Sequence, residues 1–284
     1  MEAASPISIG GKLAVRRLGF GAMRLCGPGI WGWPQDRNNA LAVLRRAVEL
    51  GVNFIDTADA YGPRVNEEQI AEALYPYPPD LVIATKGGST RSGPGQWERD
   101  GRPKHLQAAC EGSLRRLRVD RIDLYQLHAV DPNVPLEEQA GALRTLRDEG
   151  KIRFVGLSNV NLDQLQRAER VVEIASVQNN YNVGNRVSEP VLEHCRRKDM
   201  AFIPYFPLDG GDLHTVEALR PIARAHDATL WQIGLAWLLG HSSAMLPIPG
   251  TSSLQHLEEN VAAAKIVLTD AERSTLDRLA SAPA

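Results

Sequence analysis

Four ionisable side chains lie where three successive apolar segments of the chain end. Asp56 ends NFID and Tyr61 follows shortly after, Lys86 follows LVIAT, and His128 ends IDLYQLH. A carboxylate, a phenol, an ammonium and an imidazole can together pass a proton and stabilise a developing charge. Each also has an ordinary explanation, as a helix cap, a satisfied core residue or a solvated cation. Three consecutive strands that end in ionisable residues favour an active site over four separate accidents.

The elements that would position these side chains are repeated βα units. From Leu18 onward, short β-branched runs alternate with helical patterns, and Gly51 and Gly150 stand where helix C-caps belong. Such alternation is typical of a parallel sheet, and a barrel brings the carboxyl ends of all its strands to one mouth. The predicted strands are Leu18 to Gly21, Asn53 to Asp56, Leu81 to Thr85, Ile122 to Leu127, Phe154 to Ser158, Ser176 to Asn179, Ala201 to Tyr205 and Met245 to Pro249.

The predicted fold is an α/β (β/α)8 TIM barrel with an N-terminal β-hairpin and extra helices, in one domain over residues 1–284. Residues 7–15 alternate about Gly10-Gly11 and predict a hairpin that plugs the lower end of the barrel. Helical stretches at 216–225 and 230–239 predict one helix beyond the basic eight. A doubly wound sheet is the rival fold, weakened because no GxGxxG follows the first strand.

Composition narrows the class of protein and its partners. Hydrophobic residues make up 43% and charged residues 23%, as in a soluble globular chain, and the net charge of -2 gives no field for nucleic acid or anionic lipid. Cys26, Cys110 and Cys195 have no metal-type CxxC spacing, so we expect neither a disulfide framework nor a metal site. With no leader and no membrane-spanning run, we expect a cytoplasmic monomer or small homo-oligomer.

Seven motifs give the chain a resemblance to a known family. In order and spacing, it resembles the aldo-keto reductases in GFGAMRL, FIDTADAYG, ATKGG, LYQLH, GLSN, SVQNNYN and IPGTSS. The resemblance implies a (β/α)8 barrel, a nicotinamide cofactor and a catalytic Asp, Tyr, Lys, His tetrad. The matching positions are Asp56, Tyr61, Lys86 and His128, and all four residue types are present.

The resemblance implies reduction of an aldehyde or ketone to an alcohol, as by an alcohol:NADP+ oxidoreductase. Hydride arriving at a carbonyl carbon leaves negative charge on oxygen, which Tyr61 would neutralise as general acid. Because a free tyrosine titrates at about 10, the Lys86 ammonium would strengthen the acidity of the phenol. Asp56 would fix Lys86, and His128 would orient the carbonyl oxygen.

The resemblance also implies where the cofactor binds. Ser158, Asn159 and Gln178 would hold the nicotinamide carboxamide, and the ring would stack on Tyr205. For any one of these residues, core packing or turn formation remains an alternative. Further cofactor contacts are expected from Gly21, Ala22, Met23, Asp56, Phe206, Pro207, Leu208, Gly210, Ile248, Gly250, Thr251, Ser252, His256, Glu259 and Asn260.

The last of these positions bear on the choice between NADPH and NADH. Thr251 and Ser252 precede a helix whose N-terminus would attract a phosphate, although Ser252 or Ser253 would equally serve as a plain N-cap. Many family members have Lys where this chain has Gly250, and Arg where it has His256. We favour NADPH because the hydroxyls remain and histidine can carry charge, and NADH is not excluded.

Three tryptophans are candidates for the substrate pocket, and two other functions are compatible with the same barrel. Trp31 and Trp33 follow the first strand, and Trp97 lies in a long loop from Ser89 to Pro103, so we expect these aromatic side chains to line the substrate pocket. The main alternative is a regulatory barrel subunit that binds NADPH with little turnover. A phosphate-handling isomerase on the same barrel is a third class, and it would not bind a nicotinamide.

Overall fold

A parallel sheet of seven strands curls around the centre of the protein, in the order β11-β10-β9-β8-β5-β4-β3. A computed structural model describes residues 6–207, 217 and 219–279. The strands are β1 (Ile7–Ile9), β2 (Leu13–Val15), β3 (Phe20–Gly21), β4 (Phe54–Asp56), β5 (Val82–Gly87), β6 (Ser89–Gly93), β7 (Gln96–Arg99), β8 (Ile122–Leu127), β9 (Ile152–Ser158), β10 (Ser176–Asn180) and β11 (Ala201–Tyr205). The seven strands of the parallel sheet match seven of the eight predicted ones.

The eighth predicted strand closes the barrel without being a regular strand. On one side of residues 245–249, the Leu246 amide donates to the Phe202 carbonyl at 2.8 Å, and on the other the Gly19 amide donates to the Pro247 carbonyl at 2.9 Å. The prolines in this segment have no N–H to donate, so a full ladder cannot form. The segment still joins both edges of the sheet, and the predicted (β/α)8 barrel is confirmed.

A hairpin of β1 and β2 closes the lower end of the barrel, as predicted. Its strands pair Ile7 with Val15 and Ile9 with Leu13. The apolar side chains of the hairpin pack against residues at the N-terminal ends of the barrel strands, including Phe54. The turn needs glycine at position 10, because φ is +57° there and a Cβ atom would lie 2.2 Å from the Phe154 ring.

Helices form the outer layer of the barrel. They are α1 (Arg37–Glu49), α2 (Val65–Leu74), α3 (Pro103–Leu117), α4 (Leu136–Asp148), α5 (Leu162–Glu169), α6 (Glu189–Arg197), α7 (Leu219–Ala225), α8 (Leu230–His241), α9 (Leu254–Ala262) and α10 (Asp270–Asp277). The predicted extra helix is present as α7 before α8, although the first predicted residue, Val216, lies outside the described residues. Within the described ranges, no helix has the length and apolar composition of a membrane span.

One predicted loop is instead a second hairpin. Strands β6 and β7 pair antiparallel, with Ser89 opposite Arg99 and Thr90 opposite Glu98. Its polar side chains are largely exposed, so the stretch lacks the apolar alternation that identifies a half-buried strand. The hairpin stands at the carboxyl ends of the barrel strands, beside the predicted site.

Candidate active site

The barrel brings the four predicted catalytic side chains together. Asp56 ends β4, Tyr61 lies in the loop after it, Lys86 lies in β5, and His128 follows β8. The Lys86 Nζ is 2.6 Å from Asp56 Oδ2 and 3.4 Å from the Tyr61 hydroxyl. The rings of Tyr61 and His128 meet edge to face, with centroids 5.7 Å apart. One ammonium therefore lies between a carboxylate and a phenol.

Both members of the ion pair are held by further hydrogen bonds. Lys86 also donates to the Thr57 carbonyl at 2.9 Å. The second carboxylate oxygen of Asp56 accepts from Gln178 Nε2 at 2.7 Å and from Gln126 Nε2 at 3.3 Å. Sequence reasoning overlooked Gln126, although an amide two residues before His128 on the same face of a strand was a usable signal. Gln178, which the sequence analysis expected to bind the nicotinamide carboxamide, lines the cavity and donates to Asp56.

Electrostatics leave the Tyr61 phenol protonated. Burial raises the pKa of Tyr61 well above its ordinary value, and the Asp56 carboxylate acts in the same direction. Burial lowers the pKa of Lys86, while Asp56 opposes that shift. The Lys86 ammonium alone would lower the pKa of Tyr61, as the sequence analysis expected. The net direction is the opposite one, because withdrawal from water outweighs a single cation.

His128 lies at the edge of the cavity as a neutral imidazole. Burial lowers its pKa well below the ordinary value, and the cations of Lys86 and Arg91 lower it further. Its backbone amide donates to the Gly87 carbonyl at 2.9 Å. Its Nδ1 atom is buried and has no hydrogen-bond partner among the described residues. A neutral imidazole keeps one N–H, which can donate to an oxygen atom in the cavity.

A cavity of about 500 Å³ extends from this tetrad to the start of α9. It is lined by Gly21, Met23, Arg24, Asp56, Tyr61, Trp97, His128, Ser158, Gln178, Tyr205, Phe206, Pro207, Trp231, Ile248, Pro249, Gly250, Thr251, Ser252, His256 and Asn260. Most of the predicted cofactor residues are in this lining. Ala22, Asn159 and Glu259 are not, and Leu208 and Gly210 lie outside the described residues.

Asn159 positions its neighbours and does not itself line the cavity. Its backbone has a φ of 58°, a left-handed conformation that asparagine tolerates better than most residues. Its side-chain amide donates to the His128 carbonyl at 2.9 Å and to the Ser158 hydroxyl at 3.1 Å, and its oxygen accepts from the Tyr205 hydroxyl at 2.7 Å. Asn159 thus connects the Tyr205 ring to the ends of β8 and β9.

At the far end of the cavity, hydroxyl groups already serve the local backbone. Ser253 is the N-cap of α9 and accepts from the His256 amide, which fulfils the simpler of the two expectations for this segment. Thr251 accepts from the Ser253 amide at 3.0 Å. Ser252 and His256 are exposed at the mouth, whereas the Glu259 carboxylate accepts from Gln255 away from the cavity.

The backbone itself excludes a lysine at position 250. A Cβ atom on Gly250 would lie 2.5 Å from the Gly21 carbonyl oxygen, and one on Gly21 would lie 2.7 Å from the Ile248 carbonyl. Real Cβ atoms essentially never approach that closely. The two glycines let the first strand of the barrel and the closing segment meet at the cavity wall.

Of the three predicted pocket tryptophans, only Trp97 lines the cavity. Its ring centroid is 6.3 Å from that of Tyr61 and 5.9 Å from that of His128. Trp31 and Trp33 are not in the cavity lining, and their contact with a substrate stays a prediction. Trp33 stacks beneath the Arg37 guanidinium at 4.0 Å, and Trp31 forms a backbone bridge with the loop after β4.

Sequence reasoning missed three lining residues, Arg24, Trp231 and Pro249. Arg24 directly follows the predicted Met23, so the signal was adjacency to a residue already chosen. Trp231 stands at the start of α8, and helix starts lie on the same side of a βα barrel as the carboxyl ends of the strands. Pro249 closes the eighth predicted strand and precedes Gly250.

Comparisons with known proteins agree with this geometry. The sequence model of the Aldo/keto reductase family matches residues 17–281. An uncharacterized oxidoreductase of Schizosaccharomyces pombe is 48% identical over 94% of this chain and 87% of its own length. Pyridoxine 4-dehydrogenase of Escherichia coli is 42% identical over 94% of this chain and 96% of its own. An aldo-keto reductase from Klebsiella pneumoniae, crystallised in complex with NADPH, is 29% identical with a TM-score of 0.84, over 99% of this chain and 97% of that one.

The curled parallel sheet carries an ionisable tetrad at the carboxyl ends of its strands, which is where barrel enzymes have their active sites. The chain belongs to the aldo/keto reductase family.

Proposed function

We propose that this protein is an NADPH-dependent reductase of aldehydes or ketones in which Tyr61 donates a proton to the carbonyl oxygen. The observation that carries this proposal is the Lys86 ammonium, 2.6 Å from the Asp56 carboxylate and 3.4 Å from the Tyr61 hydroxyl. A protonated phenol beside a buried cation can neutralise an oxygen that gains negative charge.

The residues around the cavity fit NADPH in their chemistry. Ser158 and Gln178 offer polar groups near the tetrad, and the Tyr205 ring offers a stacking surface. The other end has the N-terminus of α9, the exposed Ser252 hydroxyl, His256 and the Arg24 guanidinium, all suited to phosphates. When bound, NADPH would supply the hydride that the protein lacks. The reductase from Klebsiella pneumoniae with NADPH supports the assignment.

Each member of the tetrad then has a distinct task. His128, kept neutral, donates its N–H to the substrate carbonyl and orients it. Tyr61 holds its proton in the resting protein and gives it up when charge develops on that oxygen. Lys86 offsets the resulting phenolate, and the Asp56 carboxylate opposes the lowering of the Lys86 pKa by burial.

The lining of the cavity indicates an aromatic aldehyde as substrate. The Trp97 ring offers a flat surface beside Tyr61 and His128, with centroids 6.3 Å and 5.9 Å away. The printed name of the relative pyridoxine 4-dehydrogenase indicates oxidation of a substituted pyridine, in which an alcohol carbon loses a hydride and its hydroxyl loses a proton, leaving an aldehyde. We therefore propose pyridoxal-like aldehydes as substrates, with pyridoxine and NADP+ as the reverse pair.

The test is turnover by the purified protein with NADPH and a panel of pyridoxal, benzaldehyde and propanal. We expect oxidation of NADPH that depends on the aldehyde and is fastest with the two ring aldehydes. Binding of NADPH without turnover of any carbonyl in the panel would overturn the proposal in favour of a regulatory NADPH-binding barrel. Failure to bind a nicotinamide at all would exclude both readings.

A further inference from the structure

One arginine connects three loops above the catalytic tetrad. Arg91 lies in β6, on the hairpin that stands beside the cavity mouth. A guanidinium has five N–H donors in one plane, and here all of its nitrogens donate to backbone carbonyls. The acceptors are Gln96 at 2.8 Å, Ile30 at 2.9 Å, Ala60 at 3.2 Å, Gly29 at 2.8 Å and Gly93 at 3.4 Å.

These acceptors belong to different parts of the chain. Gln96 and Gly93 are in the β6–β7 hairpin itself, Gly29 and Ile30 follow β3, and Ala60 is next to Tyr61 in the loop after β4. The Gly95 amide also donates to the Gly29 carbonyl at 3.1 Å. Arg91 therefore fixes the hairpin relative to the loop that carries the proposed proton donor.

The flat face of Arg91 supports an aromatic wall of the cavity. Its guanidinium carbon lies 3.9 Å from the centroid of the Trp97 ring. Trp97 in turn lies edge to face with Tyr61 and close to His128. Because 42% of Trp97 is exposed, this ring depends on few contacts for its position. The stack on Arg91 joins the Trp97 ring directly to the group that hydrogen-bonds all three loops.

We propose that Arg91 is a positioning residue that determines substrate specificity, holding Trp97 as a flat wall for ring aldehydes beside Tyr61 and His128. This inference rests on the proposed carbonyl reduction. A planar substrate gains contact area from a fixed ring, whereas a short aliphatic aldehyde covers little of it. The contribution of Arg91 should therefore differ between the two substrates.

The variant Arg91→Lys distinguishes the effect of the positive charge from the effect of the planar guanidinium. Lysine keeps the positive charge but has three donors and no planar face, so it cannot bridge the five carbonyls or stack on Trp97. We expect kcat/KM for benzaldehyde to fall about tenfold, mainly through KM, and that for propanal to change less than about threefold. Affinity for NADPH should stay as in the parent, because Arg91 lies outside the cavity lining.

A matched control is available in Arg37, which stacks on Trp33 at 4.0 Å away from the cavity. Arg37→Lys should leave the ratio of benzaldehyde to propanal unchanged. If Arg91→Lys is poorly folded, Trp97→Leu tests the same wall directly and should lose the same preference. The double variant should lose no more than either single one. An equal loss for both aldehydes, or an unchanged ratio in Arg91→Lys, would overturn the proposal.

A second readout keeps this test separate from the proposed function. Subtracting the fluorescence spectrum of Trp97→Phe from that of the parent, both without substrate, gives the emission of Trp97. The same subtraction in proteins that also carry Arg91→Lys should give an emission maximum at longer wavelength, because the Trp97 ring becomes more exposed. Parent protein without aldehyde turnover would overturn the proposed function, and an unshifted Trp97 emission would overturn the placement by Arg91 on its own.

Discussion

The two ends of the cavity are built differently. At the tetrad end, Lys86 and Asp56 are buried, and each is held by several partners before any ligand arrives. At the α9 end, Ser252 and His256 are exposed, while the neighbouring Ser253 and Thr251 hydroxyls bind the local backbone. The fold itself therefore fixes the reacting groups, whereas the α9 end of the cavity keeps exposed and adaptable side chains. Substitutions at the first end should therefore have much larger effects than those at the second.

The largest effect is expected from Tyr61→Phe. Removing the hydroxyl removes the proposed proton donor, so kcat should fall by at least ~10²-fold, the usual contribution of a general acid. Binding of NADPH, followed by fluorescence titration, should remain near the parent value. Tyr75→Phe is the matched control, because that tyrosine is half exposed and lies outside the cavity lining. Near-normal turnover in Tyr61→Phe would rule out the assignment.

Lys86→Met should impair both turnover and folding. It leaves the Asp56 carboxylate buried without its cation, which costs about 3 kcal/mol of unfolding free energy for a buried pair. Reduction at neutral pH should be crippled, because nothing then offsets the Tyr61 phenolate. Urea unfolding measures the first effect, and aldehyde reduction the second.

The double variant Lys86→Met with Asp56→Asn distinguishes the two effects. Removing the uncompensated carboxylate should recover part of the lost stability but none of the turnover. If Lys86→Met reduces aldehydes like the parent, the proposed relay is wrong.

A smaller, pH-dependent effect is expected at Asp59, close to the tetrad. Its Oδ1 atom is buried without a hydrogen-bond partner among the described residues, and burial raises its pKa to about 8, with Glu67 acting in the same direction. Between about pH 4 and pH 8, the folded protein thus keeps a proton that the unfolded chain has released. Stability contributed by this group is therefore lost as pH rises through that window.

Asp59→Asn removes this loss. At pH 8.5 the variant should be more stable than the parent by at least about 1 kcal/mol, whereas the difference should be small near pH 5. Thermal melting at both pH values measures it. The exposed Asp120 provides the control substitution, Asp120→Asn. A stability gain that is equal at both pH values would contradict the explanation by Asp59 titration.

The smallest effect belongs to the α9 end. His256 lines the cavity beside the start of α9, where its ring N–H can donate a hydrogen bond to the adenosine 2′-phosphate. His256→Ala should therefore reduce the advantage of NADPH over NADH a few-fold. Fluorescence titration of both cofactors measures this ratio. Equal affinities of the parent for both cofactors would refute a phosphate site at this end, and an unchanged ratio in His256→Ala would show that His256 takes no part in it.

The same contrast explains what could be predicted from the sequence. The positions of Asp56, Lys86 and His128 followed from apolar strand periodicity and from the rule that strands of a barrel end at one mouth. The hairpin plug followed from alternation about two glycines. These features depend on local patterns, which a single sequence contains.

The features that could not be predicted from the sequence depend on contacts between side chains that are far apart in the chain. Trp31 and Trp97 both lie beside the Arg91 guanidinium, 5.8 Å and 3.9 Å from their ring centroids, and of the two only Trp97 reaches the cavity wall. The β6–β7 hairpin has no alternating apolar face, so periodicity could not reveal it. The direction of the pKa shift of Tyr61 depends on burial and charge together, and their balance is a property of the folded protein.

The hairpin of β1 and β2 has a consequence for the timing of turnover. Because it closes the lower end of the barrel, both ligands of the proposed reaction must use the mouth at the opposite end. Two ligands that share one entrance must bind in order. The ligand that binds deeper must bind first and dissociate last, so its dissociation rate sets an upper limit on the turnover number.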